Sequence, residues 1–452
     1  MRRHGVPILL LLLSIAGPMP AQVLSAPPNG IILPNYDLVR LGQWEAVEAG
    51  AVVARTDGPM ANVYNPAGVA GADKTEINGS GSGYQYTAVS LEGLGEKSTS
   101  TRFFTLSGFL GVVLAQPVVK STRWRLGFSM YSPINWEPGT LSGASQGTSG
   151  GVSTALEYRT KVRLNVLVPS LAAGVKLSPT LRAGVTFQVP IVSLLQQQTT
   201  SALSTSATEA STVERNFAAD GTTWLVRATA GIQWNVAPTV AVGLSIQSPT
   251  ARLFGSSFYS DQLTAASGAG FETLRFRDPE ARLVYKLPFL LAGGAAFKIG
   301  KVGVEADLRW YGGISQFELY SSKVTGVAVR DSGTAPPVVA PVSLVPVTMS
   351  FRSILNFAVG AQYQLSKQWR LHAGVNSDQS PLSGTDEIFR NVNIIGGTAG
   401  VSFTGAHLSG SLGLGFQTGR SPPTPVGSGS EVAETRLKVT SIQLLYALAY
   451  SF

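Results

Sequence analysis

Fourteen stretches of this chain alternate residue by residue between apolar and polar or small side chains, and the connections joining them alternate between short and long. We place the stretches near 75–91, 102–118, 123–136, 155–178, 181–197, 222–237, 239–256, 271–299, 301–320, 348–366, 369–380, 392–404, 406–420 and 436–452. The short connections are 119–122, 178–180, 237–238, Gly300–Lys301, Ser366–Lys367 and Gly405. The long ones are 137–154, 198–221, 257–270, 321–347, 381–391 and 421–435, with 92–101 intermediate. A period of two is the strand period. An even number of strands, with short turns on one side and long loops on the other, is the arrangement of a membrane β-barrel.

The faces support this. In 301–311, Val302, Val304, Ala306, Leu308 and Trp310 share one side, and Gly303, Glu305, Asp307, Arg309 and Tyr311 the other. In 352–365, Leu355, Phe357, Val359, Ala361, Tyr363 and Leu365 oppose Arg352, Asn356, Gly360, Gln362 and Gln364. A soluble sandwich also alternates, but a lipid-facing row can stay apolar throughout while a wet lumen holds charges. Charged residues make up 13% of the chain, against about 25% in ordinary soluble domains. No segment after the first twenty residues has the roughly 20 apolar residues of a spanning helix. An apolar chain without such helices satisfies its backbone in lipid only as a closed barrel.

The first residues read as an export signal. Arg2 and Arg3 precede an apolar run, Ile8–Ile15, and Ala21 offers a small residue for cleavage, with Ala26 an alternative beside Pro27. We therefore expect a signal peptide at 1–21, a compact segment at 22–72 and a barrel at 73–452, in the outer membrane of a Gram-negative-type bacterium. There is no cysteine, so stability must come from the closed sheet rather than from disulfides. Leu38, Val39, Trp44, Val47, Val52 and Val53 give the segment before the first strand too much apolar surface for a disordered tail. Ahead of a barrel it reads as a plug in the lumen, built from one or two short helices. Asn65-Pro66-Ala67 would fix a bend in it, because Pro66 locks φ and Asn65 can bond neighbouring backbone.

Three stretches resemble one family, the FadL-type outer-membrane transporters of long-chain fatty acids and other hydrophobic compounds. They are "ARTDGPMANVYNPAGVA", "YKLPFLLAGGAAFKIGKVGVEADLRWYGG" and "WRLHAGVNSDQSPL". The first is similar to the family's N-terminal hatch with its Asn-Pro-Ala motif, the second to its central hairpin, the third to a late strand running into a turn. The resemblance implies a monomeric, cofactor-free barrel of about 14 strands with a hatch in its lumen. It also implies passive uptake. Ligand is captured among outer loops, passes to a pocket above the hatch, and leaves sideways where the third strand kinks inward. That strand here contains Pro133. A proline in a ladder marks an edge or a bulge, and Pro133 also fits the strand's outer end, where a loop begins. Departures from the family lie in 137–154 and 198–221, so the ligand stays open between fatty acids, aromatic hydrocarbons and other lipids. A barrel that does not transport, serving as a secretion or surface-anchoring scaffold, is the reading from a different class.

Other constellations are weaker. Glu305, Asp307 and Arg309 form either a lumenal salt network or a ligand site in which Arg309, with Arg352 or Arg370, meets a carboxylate. Gly143–Gly147 matches G-x-S-x-G, but that motif needs a strand before it and a helix after it, and the chain has only three histidines. We expect no catalytic residue, no metal site and no cofactor. The net charge of +8 is dispersed without aromatic interleaving, which speaks against nucleic acid and for contact with anionic outer-leaflet lipid such as lipopolysaccharide. The closing strand puts Phe452, Tyr450 and Leu448 on one apolar face. It resembles the signal read by bacterial barrel-assembly machinery.

Overall fold

The computed structural model describes residues 23–24, 32–92, 96–149, 152–268, 270–344, 346–382, 389–426 and 433–452. The expected signal peptide and both cleavage candidates lie outside them. Fourteen antiparallel strands close into a barrel. They are β1 (Glu76–Glu92), β2 (Glu96–Leu114), β3 (Trp124–Trp136, continued by Thr140–Ser149) and β4 (Val152–Lys176). β5 (Leu181–Gln188 and Ile191–Thr205), β6 (Ala210–Ala237) and β7 (Val240–Gln247 and Ala251–Ser267) follow. Next are β8 (Gly270–Leu283 and Leu290–Ile299), β9 (Val302–Tyr311, Ile314–Ser321 and Thr325–Asp331) and β10 (Val338–Leu344, Val347–Phe351 and Ile354–Gln364). The last are β11 (Trp369–Asp378), β12 (Asn393–Thr404), β13 (Leu408–Arg420) and β14 (Ala433–Ser451). β14 pairs with β1 from Glu76↔Ser451 to Glu92↔Arg436 and closes the circle.

The expected faces hold. Leu308 and Trp310 point outward at 56% and 43% exposure, while Glu305 and Asp307 point inward at 0% and 1%. Phe452, Tyr450 and Leu448 are exposed on the outer face. The Phe452 N–H donates to the Thr75 carbonyl, so the terminal aromatic also ties the seam. The connection expected at 119–122 is longer, 115–123, because β2 ends at Leu114; the other tight turns fall within two residues of their expected places. Gly300, with φ of 58°, closes the β8–β9 turn in the left-handed region.

Four expected loops are not loops. Most of 137–154, 198–221, 257–270 and 321–347 continues the barrel strands as paired hairpins, for example Thr140↔Lys161 to Ser149↔Val152 and Ile191↔Trp224 to Thr205↔Ala210. These stretches are rich in Ser, Thr and Gly, and their weak hydrophobic contrast hides the period. Pairing still satisfies their backbone beyond the bilayer, where side chains need not be apolar.

Candidate functional site: a plugged lumen and an interrupted wall

Residues 32–72 fill the lumen. α1 (Trp44–Val47), α2 (Ala61–Tyr64) and two short 3-10 turns, Gly58–Met60 and Pro66–Gly71, are all the helix they hold. Isolated helices this short are not stable in water, so the wall must hold them. It does so in three ways.

The first is close approach. At one level of the barrel three inward-facing residues are glycines. Gly174, Gly184 and Gly231 lie in register on three adjacent strands. A Cβ on Gly184 or Gly231 would collide with the Pro66 carbonyl or the Asn65 side chain, and one on Gly174 would stand 2.5 Å from the Ala70 nitrogen. Gly243 meets the Val53 carbonyl in the same way, Gly374 meets the Glu48 backbone and Gly413 the Val47 side chain. At Gly174, Gly184, Gly243 and Gly374 plug backbone therefore lies directly on the wall.

The second is Asn65, which is fully buried. Its Oδ1 accepts from the Ala67 N–H at 3.2 Å and caps the 3-10 turn that Pro66 begins. Its Nδ2 donates to Val53 O of the plug and to Ile232 O of β6, both at 2.9 Å. The motif is thus a three-way joint between a turn, the plug and the wall. Replacing Asn65 and Pro66 by alanine removes three hydrogen bonds and a fixed φ, at about 1–2 kcal/mol locally; the Val53 carbonyl keeps Gln233 Nε2 at 3.3 Å. We expect normal amounts of heat-modifiable barrel with altered uptake or a leak. A double variant that fails to reach the outer membrane, yet transports normally per folded molecule, would mark the motif as a folding element instead.

The third is a buried charge network. Asp307 Oδ2 accepts from Val52 and Val53 N–H at 2.6 and 3.0 Å, and Glu305 Oε1 accepts from Ala54 N–H at 2.6 Å. Arg55 bridges Glu305 at 2.6 Å and Glu48 at 2.5 Å. Glu48 also meets His372 Nδ1 at 2.7 Å. Arg309 donates to the Gly50 carbonyl and lies 3.8 Å from Asp37. Asp37 accepts from the Tyr311 hydroxyl at 2.9 Å, and its own N–H donates to Asp378 at 3.2 Å. Glu305, Asp307 and Arg309 therefore face the plug. Arg352 lies apart on the Ser380 carbonyl, and Arg370 on Gln364 near the tight-turn end. The three arginines do not converge.

One plug acid stands outside this network. Glu45 is 2% exposed, and burial pushes its carboxyl up to about 8, opposed by the Gln43 N–H that it accepts. A buried acid held neutral favours the seated plug at low pH and loses that contribution as pH climbs from its ordinary range toward 8, by up to about 1.4 kcal/mol per pH unit. Proteolysis of the plug should therefore quicken between about pH 5 and pH 8 and level off above, with a smaller slope in Glu45→Gln. An identical slope in both would assign the effect to other groups.

The wall is interrupted between β2 and β3. β2 and β3 pair only from Leu114↔Leu126 to Phe109↔Tyr131. Beyond that, β2 keeps its pairing with β1 after a shift between Ser80↔Phe109 and Ser82↔Thr105. β3 keeps its pairing with β4 after a shift between Tyr131↔Val168 and Ile134↔Val166. Two bulges, 106–108 in β2 and Ser132–Pro133 in β3, thus face each other where the ladder between these strands stops. Pro133 sits in the bulge and not in a loop. From inside, the Val39 N–H donates to the Pro133 carbonyl at 3.3 Å. Val39 and Leu41 lie over Gly108. A small cavity, about 50 Å³, opens behind them, lined by Leu38, Gly81, Ser132, Trp136 and Gln443 among others.

Above the plug the lumen is aromatic. Tyr259 packs against Phe217, Phe276 and Tyr320 at 5.2 to 5.8 Å between centroids. Phe351 packs against Phe317 and Phe389 at 6.0 and 6.3 Å. Ile32 and Leu33 are fully buried in the same cluster. Sequence reasoning missed this packed cluster, because it combines residues from β6 to β10 with Phe389 and the plug. The G-x-S-x-G stretch lies in the straight hairpin arm of β3, with no helix after it.

The family described as outer membrane protein transport protein (OMPP1/FadL/TodX) matches residues 25–394. Among solved structures, a FadL homologue of Pseudomonas aeruginosa aligns with a TM-score of 0.58 at 13% identity, covering 94% of this chain and 100% of its own. The P. putida toluene transporter TodX aligns at 0.57 and 15%, covering 92% and 99%. The Ralstonia pickettii toluene transporter TbuX aligns at 0.55 and 14%, covering 92% and 100%. At such identities the likeness speaks to the fold alone. Comparison with curated proteins finds no match.

Proposed function

The chain belongs to the OMPP1/FadL/TodX family of outer-membrane transport proteins for hydrophobic compounds, and we propose that it takes up long-chain fatty acids passively through the interruption between β2 and β3. Ligand gathers in the aromatic chamber, passes Val39–Leu41 and leaves sideways at Pro133. The observation that carries this reading is the pair of facing bulges, with plug backbone bonded to the Pro133 carbonyl. A straight path along the barrel axis is opposed by the seated plug. In this reading the protein is exported by a cleaved signal, works as a monomer, and meets lipopolysaccharide and the assembly machinery through its outer face and Phe452.

A second reading keeps the route and exchanges the ligand for aromatic hydrocarbons, favoured by the ring-lined chamber. A scaffold without transport is the reading from another class. Growth on oleate of a strain lacking its own transporter separates transport from scaffolding; toluene uptake separates the ligands. Deleting Pro133 removes the extra residue between Tyr131 and Ile134 and lets β2 and β3 pair further. Uptake should then fall severalfold with the amount of folded barrel unchanged. Undiminished uptake in the deletion variant would rule out the sideways route.

A further inference from the structure

The outward face of β8 carries arginines. Arg275, Arg277 and Arg282 are exposed, while their neighbours Leu274, Phe276 and Leu283 are buried on the lumenal side. Arg277 lies over the Phe258 ring of β7, 5.4 Å from its centre. Arg252 of β7 is half-buried beside this row. The β7–β8 ladder stops at Gln247↔Leu290 and resumes at Ser257↔Ala281, and Arg252 reaches across the break. Its Nε donates to the Leu283 carbonyl at 3.2 Å, and a terminal nitrogen donates to the Gly255 carbonyl at 2.5 Å. Arg282, adjoining Leu283 in sequence, sets a second positive charge against it.

These charges are not answered from within the protein. Arg163 is 4.0 Å from Asp220, and Lys176 is 3.3 Å from Asp73. Arg252, Arg275, Arg277 and Arg282 have no carboxylate within 4.0 Å among the described residues. Like charges held together repel, and an anion between them turns the repulsion into attraction. Their level in the membrane says which anion. Arg252 stands twelve residues beyond Val240, the first residue of β7 after its tight turn. At about 3.3 Å per residue and a tilt of about 40°, that is roughly 30 Å, just past an apolar band of about 25 Å. Beside it Phe254 stacks on Trp224 with 5.4 Å between ring centroids, and both are exposed, as aromatic residues are at a membrane interface. From Arg282 to Arg275 the row runs about 23 Å further along the strand. An anion that meets all four arginines therefore has an extended, multiply charged headgroup.

We propose that Arg252 and Arg282, with Arg275 and Arg277 beyond them, form a binding site for the phosphates of lipopolysaccharide on the outside of the barrel. A lipid A phosphate sits between Arg252 and Arg282, its acyl chains lie along Phe254 and Trp224, and the anionic inner-core sugars meet Arg277 and Arg275. Guanidinium suits phosphate because its N–H groups match two oxygens at once. The proposal rests on the outer-leaflet contact named above and gives it a place. An acidic phospholipid has one phosphate and fills only the Arg252–Arg282 pair.

The test measures binding of three lipids to the full-length purified barrel in neutral detergent: lipopolysaccharide with a short inner core, its dephosphorylated form, and phosphatidylglycerol. Wild type should bind the phosphorylated form at least about tenfold more tightly than the dephosphorylated one, the worth of one charge-assisted pair. Arg282→Glu offers Arg252 an internal carboxylate and should erase that preference, with heat-modifiable migration confirming the fold. Arg282→Lys should keep part of it. Arg275→Gln with Arg277→Gln should weaken lipopolysaccharide binding severalfold and leave phosphatidylglycerol unchanged. Lys298→Gln with Lys301→Gln, at the opposite end of the barrel, should change neither. A preference that survives Arg282→Glu would overturn the site. So would an equal loss in the lysine pair, or phosphatidylglycerol binding as tightly as lipopolysaccharide. If wild type binds both forms of lipopolysaccharide equally, the outer-leaflet contact stands and the phosphate site falls. If it binds neither, both fall.

Discussion

Valine at both Gly184 and Gly231 is expected to unseat the plug while leaving a closed barrel. Each new side chain would enter space held by the Pro66 carbonyl or the Asn65 amide. Neither can yield easily, since Asn65 is bonded on three sides and Pro66 has a fixed φ. Overpacking of a tight contact costs about 1–3 kcal/mol per site, and the two sites press on the same turn. The strands themselves tolerate valine well. The cost therefore falls on plug docking and not on the ladder. In planar bilayers the double variant should conduct small ions where wild type is closed, and its plug should be cut early by protease. Heat-modifiable migration should persist. A variant as tight as wild type would mean that the glycines are not the seat of the plug.

The alternation of faces was legible in the sequence because lipid outside and charge inside impose a strong period on β9 to β14. Val302–Tyr311 reads outward and inward residue by residue, and the structure follows it. The strand count followed from the turns, and Pro133 and Asn65-Pro66 stood out because proline is so restricted. The hairpin arms of β3 to β10 were not legible, since outside the bilayer nothing forces their outer row to be apolar. The glycine seat was missed for a different reason. Its members stand one to a strand, and nothing in a single strand's pattern distinguishes them from the chain's other glycines. The roles of Glu305, Asp307 and Arg309 stayed divided between brace and ligand site, because the carboxylates accept from backbone N–H groups of Val52, Val53 and Ala54 and Arg309 donates to the Gly50 carbonyl, all more than 250 residues away.

The largest loss of plug stability should come from Glu305→Ala combined with Asp307→Ala. The two carboxylates take three N–H donors from consecutive residues, Val52, Val53 and Ala54. Without them all three stay buried without acceptors, at about 1–3 kcal/mol each. Of its two carboxylates Arg55 would keep only Glu48, and a guanidinium that stays buried with one partner fewer adds to the cost. Burial of the plug's backbone against β9 depends on this contact, so the sum exceeds what a segment with four-residue helices can absorb. The barrel should still close, because the β8–β9 and β9–β10 ladders do not use these side chains. The amide pair Glu305→Gln with Asp307→Asn tests the mechanism more finely. It keeps an acceptor oxygen at each site and removes the charge, so it should retain much of the docking that the alanine pair loses, while Arg55 is left with less countercharge. Hydrogen exchange at Val52, Val53 and Ala54 reports the contact directly. We expect fast exchange in the alanine pair and intermediate exchange in the amide pair. Equal protection in all three proteins would show that the plug is held by packing alone, and the carboxylates of β9 would then need another role.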